Sequence, residues 1–377
     1  MRLNPVKYGF RAADIPEPPV APETDVRLYV APVNFAGQGY AWARSAELLP
    51  GVGAVSMQYV SGTSFGFAID NAVPVSVFAK STRWQKKQFN TVTTGFTHVL
   101  IEAERSIFGS LFGESPVREV AELRRNGLSV AMVSHGSDLR LPSRHRELDE
   151  WSPFHDDDWD LIPVLEAQAL RHRAILAELD APVFVSTPDL LLDWPGATWL
   201  PVVVDPAMWA GGTTPLRRDV PVVVHAPSNA RIKGSALIDP VLGDLADRGL
   251  IEYIRIEGVP SDQMPDLYRN ADIVVEQFRI GNYSRAAVEA MVAGRIVIGH
   301  VHEQVREHVL AETGEELPVV QATPATLGAV IEEVLNRREH YQALALRGSS
   351  FARRVHDGRA SAEALRSFLG TTESVAP

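Results

Sequence analysis

The stretch His225-Ala226-Pro227-Ser228-Asn229-Ala230-Arg231-Ile232-Lys233-Gly234 closes an apolar run that starts at Val220, and its reading decides the fold. A second segment answers it downstream: Ala271-Asp272-Ile273-Val274-Val275-Glu276, then Ala287-Val288-Glu289-Ala290-Met291-Val292-Ala293-Gly294. Short apolar runs that lead into amphipathic segments are the pattern of parallel strands with crossover helices. Such a sheet presents ligands at the carboxyl ends of its strands, which is where Arg231 and Lys233 fall. A planar guanidinium and a point cation suit a diphosphate there, and a carboxylate such as Glu289 inside a later helix suits ribose hydroxyls. Taken singly, Lys233 also reads as a solvated lysine opening a helix, and Glu289 as an exposed helix carboxylate. Order and spacing carry the argument.

Outward from this stretch, the pattern repeats in both directions. Towards the N-terminus, candidate strands run over Val26 to Ala31, Ala54 to Val60, Val73 to Ala79, His98 to Glu102, Ser129 to Ser134, Val183 to Ser186 and Trp199 to Val204. Pro206, Gly211, Gly212 and Pro215 then break the pattern among polar residues. After Val220 to His225 come strands at Ile251 to Ile256, Asp272 to Glu276, Ile296 to His300 and Val319 to Gln321. Helices are predicted near Ser235 to Arg248, Asp262 to Asn270, Ser284 to Ala293 and Pro324 to Arg337. The predicted organisation is an irregular, proline-rich arm over 1–25, a Rossmann-like domain over 26–205, a linker over 206–219, a second Rossmann-like domain over 220–338, and a helical tail over 339–377.

Composition narrows the partners. The 377 residues carry a formal net charge of −11, so a nucleic-acid partner is disfavoured, and any phosphate must meet a local basic cluster. No cysteine occurs, which removes disulfides, thiolate metal sites and thiol nucleophiles. No apolar run approaches the roughly 18 residues of a membrane span, and the N-terminal arm lacks a signal-peptide core. A soluble, cytoplasmic protein is expected. The stretch Arg83-Trp84-Gln85-Lys86-Lys87 leaves two readings, a solvated helix face or a peripheral contact with a lipid-linked acceptor at the inner face of the membrane.

Lys233-Gly234, the segment Glu289 to Gly294 and the short strand from Arg295 to Gly299 together resemble the donor half of retaining family 4 glycosyltransferases. The resemblance covers roughly residues 128 to 300 and thins outside them. It implies a GT-B architecture: α/β, two facing Rossmann-like domains with an interdomain cleft. It implies transfer of a sugar from a nucleotide-diphosphate donor to an acceptor hydroxyl, with retention, no metal and no further cofactor. The acceptor class is a carbohydrate, glycolipid or small molecule.

By the same resemblance Lys233, Arg231 and His135 form the catalytic group. Gly37, Gly39, Ser228, Gly234, Ser284, Arg285 and Glu289 bind the donor, and Gln38, Asp138 and Arg140 contact acceptor or sugar. Gly37 and Gly39 follow the first strand, where glycines allow close backbone approach, although a Gly-x-Gly turn is often simply tight. His135 opens a His-Gly-Ser-Asp-x-Arg run after the strand ending at Ser134.

The chain departs from the family where a glutamate is usual eight positions before Glu289: that position is Gly281, followed by Asn282-Tyr283-Ser284. Two other functions therefore stay open, a non-catalytic nucleotide-sugar-binding or accessory protein and a sugar-nucleotide 2-epimerase. The run His155-Asp156-Asp157-Asp158 reads as the charged start of a helix rather than a cation site. His300, His302 and His308 do not form a His-Glu-x-x-His zinc helix.

Overall fold

The apolar runs build two all-parallel sheets in a computed structural model that describes residues 9–61 and 66–372. The first has seven strands: β1 (Val26–Ala31), β2 (Val52–Val60), β3 (Asn71–Pro74), β4 (His98–Glu102), β5 (Ser129–Ser134), β6 (Val183–Val185) and β7 (Thr198–Trp199). Their order is β3-β2-β1-β4-β5-β6-β7. The second has β8 (Val222–His225), β9 (Glu252–Arg255), β10 (Ile273–Val275), β11 (Ile296–Gly299) and β12 (Val320–Gln321), in the order β12-β11-β10-β8-β9.

Parallel sheets must be covered on both faces, and alternation along each strand supplies the two layers. In β1, Tyr29 and Ala31 enter one core while Leu28 and Val30 enter the other. In β11, Val297 faces one layer, and Ile296 and Ile298 face the opposite one. The helix Arg338–Val355 lies on the second sheet through Phe351, Ala352 and Val355, and the helix Arg359–Leu369 returns to the first through Ala362, Leu365 and Leu369. Each of those leucines stabilises the return by about 1.5–3 kcal/mol.

Strand order reverses direction between β1 and β4 in the first sheet, and between β8 and β10 in the second. Open α/β sheets place ligands at such switch points, beyond the strand carboxyl ends. The two crevices therefore lie under the loops after β1 and after β8.

Two predicted strands depart furthest from expectation. The third ends at Pro74 and continues as a helix, Val75–Lys80. Edge pairing with β2 stops at that proline, and the chain beyond it coils. The seventh pairs only over Thr198–Trp199. Beyond it Pro201 lacks a donor, and Val203 bonds instead with the Gln38 side chain. Of the predicted arm, residues 1–8 lie outside the described residues, and the rest is irregular apart from a turn at Ala12–Asp14.

Candidate functional site

The crevice of the second sheet is built by a short turn of helix. Asn229 caps Ala230–Lys233, its Oδ1 accepting from the amides of Arg231 at 3.1 Å and Ile232 at 3.2 Å. Gly234 ends that turn at φ +82, a left-handed conformation that glycine adopts without strain, and the helix Ser235–Asp247 follows. The result sets Lys233 beside Glu276, at the carboxyl end of β10. Lys233 is 8% exposed and Glu276 5%, and they form an ion pair bridged by Ser284. The Lys233 ammonium donates to Ser284 Oγ at 2.9 Å, and that hydroxyl donates to Glu276 at 2.6 Å. An ammonium has three donors, so one remains for a ligand.

Ser284 also caps the helix Arg285–Val292, accepting from the Ala286 amide at 3.3 Å. One turn on, Glu289 meets Arg285 at 2.8 Å. Burial pushes the Glu289 carboxyl up to about 7, against the downward pull of Arg285. The Arg285 guanidinium reaches over the Phe67 ring and donates to the Ala36 carbonyl, so this helix touches the first-domain loop directly. Ser228 is exposed at the rim.

The acidic run behaves differently from its prediction as a helix start. The helix begins at Ile162, and its N-cap Leu161 makes no side-chain cap. Asp156 and Asp158 instead cross to the second domain. Arg231 contacts Asp156 at 2.9 Å and Asp158 at 2.7 Å, and Arg279 contacts Asp156 at 2.6 Å. Arg279 also donates to the carbonyls of Trp151 at 2.8 Å and Ser152 at 2.9 Å. A planar fork with several donors suits such a role, and four arginine and aspartate side chains outcompete local capping. Residues 149–158 thus form a strap across the two domains.

In the first crevice the loop after β1 is held by Glu102, fully buried at the end of β4. Its Oε2 accepts from the amides of Val33 at 3.1 Å and Asn34 at 3.0 Å. A Cβ on Gly39 would sit 2.8 Å from that oxygen, so the glycine clears a carboxylate. Gly37 is left-handed at φ +74, with the Phe67 ring 3.2 Å from where its Cβ would stand. Gln38 uses both ends of its amide on Val203, accepting at 2.6 Å and donating at 3.0 Å. The predicted acceptor contact from Gln38 is therefore a structural tie.

His135 extends from β5 with Nε2 at 3.3 Å from Glu102 Oε1. Burial acts to lower its pKa, and the carboxylates of Glu102, Asp138 and Glu104 together outweigh this, so the net shift is upward. Asp138 faces back into its own turn, accepting from the amides of His135 at 2.7 Å and Gly136 at 2.5 Å. Arg140 pairs with buried Asp189, which also accepts from Asn282 at 2.6 Å. Asp138 and Arg140 thus shape the turn and the seam.

Most of the predicted residues fall into two groups, while Arg231 turns to the strap. Lys233, Gly234, Ser284, Arg285 and Glu289 converge on one crevice, and Gly39 and His135 gather around Glu102 in the other, with Gly37 in the same loop against Phe67. Sequence reasoning missed Glu102, Arg279 and a histidine group around Asp149. Glu102 had a signal, as a carboxylate ending a central strand. The strap residues had none, because their partners lie between 73 and 153 positions away.

Solved structures give the same architecture. Sucrose-phosphate synthase from Thermosynechococcus elongatus superposes with a TM-score of 0.58 at 12% identity, covering 90% of this chain and 97% of that one. HepE of Anabaena, solved with UDP and glucose, gives 0.57 at 10% identity, covering 92% and 100%. The fold is GT-B. A glycosyltransferase from Rickettsia africae ESF-5 adds a TM-score of 0.54 at 11% identity, covering 91% and 98%. No protein-family profile and no curated protein matches the sequence. Among the described residues, no helix of this GT-B chain is long and apolar enough to cross a membrane.

Proposed function

We propose that the protein is a glycosyltransferase that moves a sugar from a nucleotide-diphosphate donor to an acceptor hydroxyl. The observation that carries this reading is Lys233, buried at the β8 and β10 switch point beside the helix start at Ser284. A preorganised cation and the positive dipole end of a helix stabilise charge as it develops on a departing diphosphate. The free ammonium donor of Lys233 meets the β-phosphate, Arg231 adds its fork on leaving Asp156 and Asp158, and ionised Glu289 accepts from the ribose hydroxyls. HepE, with the same fold, was solved with UDP and with UDP-glucose, which supports a nucleotide-sugar donor here.

On this reading retention follows the resemblance to family 4, with the acceptor hydroxyl attacking from the face the diphosphate leaves. Residues 26–205 bind the acceptor side and 220–338 the donor, and no metal is needed on the diphosphate because cations and amides serve it. His135, oriented by Glu102, contacts the sugar or acceptor. A chain without cysteine suits a reducing compartment, so the reading includes a cytoplasmic enzyme.

The test is a nucleotide-sugar panel screened by thermal shift, followed by product analysis with and without acceptors. Acceptor-dependent release of nucleoside diphosphate is expected. Binding without turnover would make the chain an accessory protein, and an altered sugar nucleotide without acceptor would make it an epimerase. The free nucleoside diphosphate is expected to bind within about tenfold of the nucleotide sugar, a gap of roughly 1.4 kcal/mol, because no carboxylate side chain occupies position 281.

A further inference from the structure

The strap begins in a histidine-rich seam. His145 comes from the helix Pro142–Leu148 of the first domain and Asp149 follows that helix directly; His302 follows β11 of the second. One ligand atom from each of these three side chains lies within 4.8 Å of the other two. His145 and Asp149 are buried, and His302 is nearly so. We propose that His145, Asp149 and His302 form a zinc-binding site across the domain seam, with a fourth position open to water.

Geometry supports each ligand. His302 Nε2 stands 2.9 Å from Asp149 Oδ2, so a cation between them replaces one proton. His145 Nδ1 bonds Ser152 Oγ at 2.7 Å, while its Nε2 has only a longer 3.2 Å contact to the Ile280 carbonyl. A metal-bound imidazole donates its other ring N–H to an acceptor, and Ser152 Oγ can take that role for His145 Nδ1. Asp149 is oriented twice over: its Oδ1 accepts from the Trp151 amide at 2.8 Å, and His300 Nε2 lies 3.3 Å from Oδ2. The nearby cation Arg140 is already paired with Asp189.

Spacing is the quantitative check. Zinc holds imidazole nitrogen and carboxylate oxygen at about 2.0–2.2 Å in a tetrahedron, which sets ligand atoms roughly 3.4 Å apart. A cluster within 4.8 Å therefore needs a contraction on the order of an ångström. Two imidazoles and one carboxylate favour zinc over magnesium or calcium, which prefer all-oxygen shells.

Gly281 explains how His302 reaches the site. Its φ is +70, and a Cβ there would collide with the His302 imidazole. The His302 amide donates to the Gly281 carbonyl at 2.8 Å, fixing the two strands of chain together. The glycine is thus a seat for the ring.

The test uses full-length protein without a polyhistidine tag. Titration with zinc chloride by calorimetry, and metal counting after dialysis, are expected to give one zinc per chain. Asp149→Asn and His302→Gln are each expected to lower zinc affinity by about 100-fold or more. Gly281→Ala removes no ligand and is expected to weaken binding at least about tenfold, whereas His308→Gln leaves it unchanged. X-ray absorption on the unmutated zinc-loaded protein is expected to report two imidazoles and oxygen ligands, which requires no variant to fold. The proposal falls if the wild type retains no zinc, if the ligand variants bind as well as wild type, or if the spectrum shows fewer than two imidazoles. None of these readouts depends on nucleotide or turnover, so they stand apart from the transferase reading.

Discussion

The loop after β1 and the loop after β8 occupy equivalent places in two similar sheets, yet they present opposite charge. Under the first, Glu102 takes the amides of Val33 and Asn34, the very donors a phosphate would use. Beside the second, Lys233 stands with a donor to spare and a helix start next to it. A buried carboxylate repels a diphosphate and a buried ammonium attracts one, so equal topology does not make equal sites. A glycine pattern marks close approach without saying what approaches.

The most damaging change to this contrast is Lys233→Ala. Turnover is expected to fall about 100-fold or more, roughly 3 kcal/mol of lost transition-state stabilisation. The variant also leaves Glu276 buried without its ammonium, so circular dichroism and melting must establish that it folds. Normal turnover in a folded variant would move the phosphate site away from the second loop.

Glu289 sharpens the contrast through pH. With a carboxyl titrating at about 7, its ionised fraction grows as pH rises from 6 to 8, and affinity for a nucleotide sugar is expected to tighten over that interval. Glu289→Gln should bind about tenfold more weakly at pH 8, as a lost charged acceptor costs roughly 1.4 kcal/mol or more, and its affinity should be flat with pH. Calorimetry across the interval reads both. Linkage gives the accompanying sign for stability. The folded pKa lies above the unfolded value near 4.3, so this group's contribution is fully present below that value and is lost as pH rises towards about 7.

Gly39→Ala probes the first loop. The added Cβ meets Glu102, and overpacking of this kind costs about 1–3 kcal/mol in stability. Donor affinity is expected to stay within about threefold, on the order of 0.6 kcal/mol. A loss of donor binding as large as that of Lys233→Ala would erase the distinction between the loops. The smallest effect is expected from added magnesium or manganese: initial rates should change less than about twofold, since cationic side chains and amides already serve the diphosphate.

How much of this was legible beforehand follows from which interactions are local. The strands β1, β4 and β5 match their apolar runs residue for residue, because a buried parallel strand writes itself as continuous apolar sequence. Lys233 and Glu289 stood out as candidates through their offsets from such runs together with the family resemblance. Asp156 and Asp158 were misread as a helix start because their partners Arg231 and Arg279 are remote in sequence, and only the folded chain brings them together. His145, Asp149 and His302 are scattered in the same way, across more than 150 positions, and no short motif could announce them. Gly281 looked like a deletion of function; in the fold it makes room for a ring.

The pairing of Arg231 with Asp156 and Asp158 makes the strap a tethered competitor. Any anion that takes Arg231 must displace carboxylates held on the same chain, at an effective concentration on the order of millimolar. The measured dissociation constant of such a ligand is therefore weaker than its intrinsic one by the fraction of time the arginine stands free. Dissolved ions screen the internal contest and the external one alike. Ligand affinity in this cleft consequently varies less with ionic strength than it would around an arginine that waits in water.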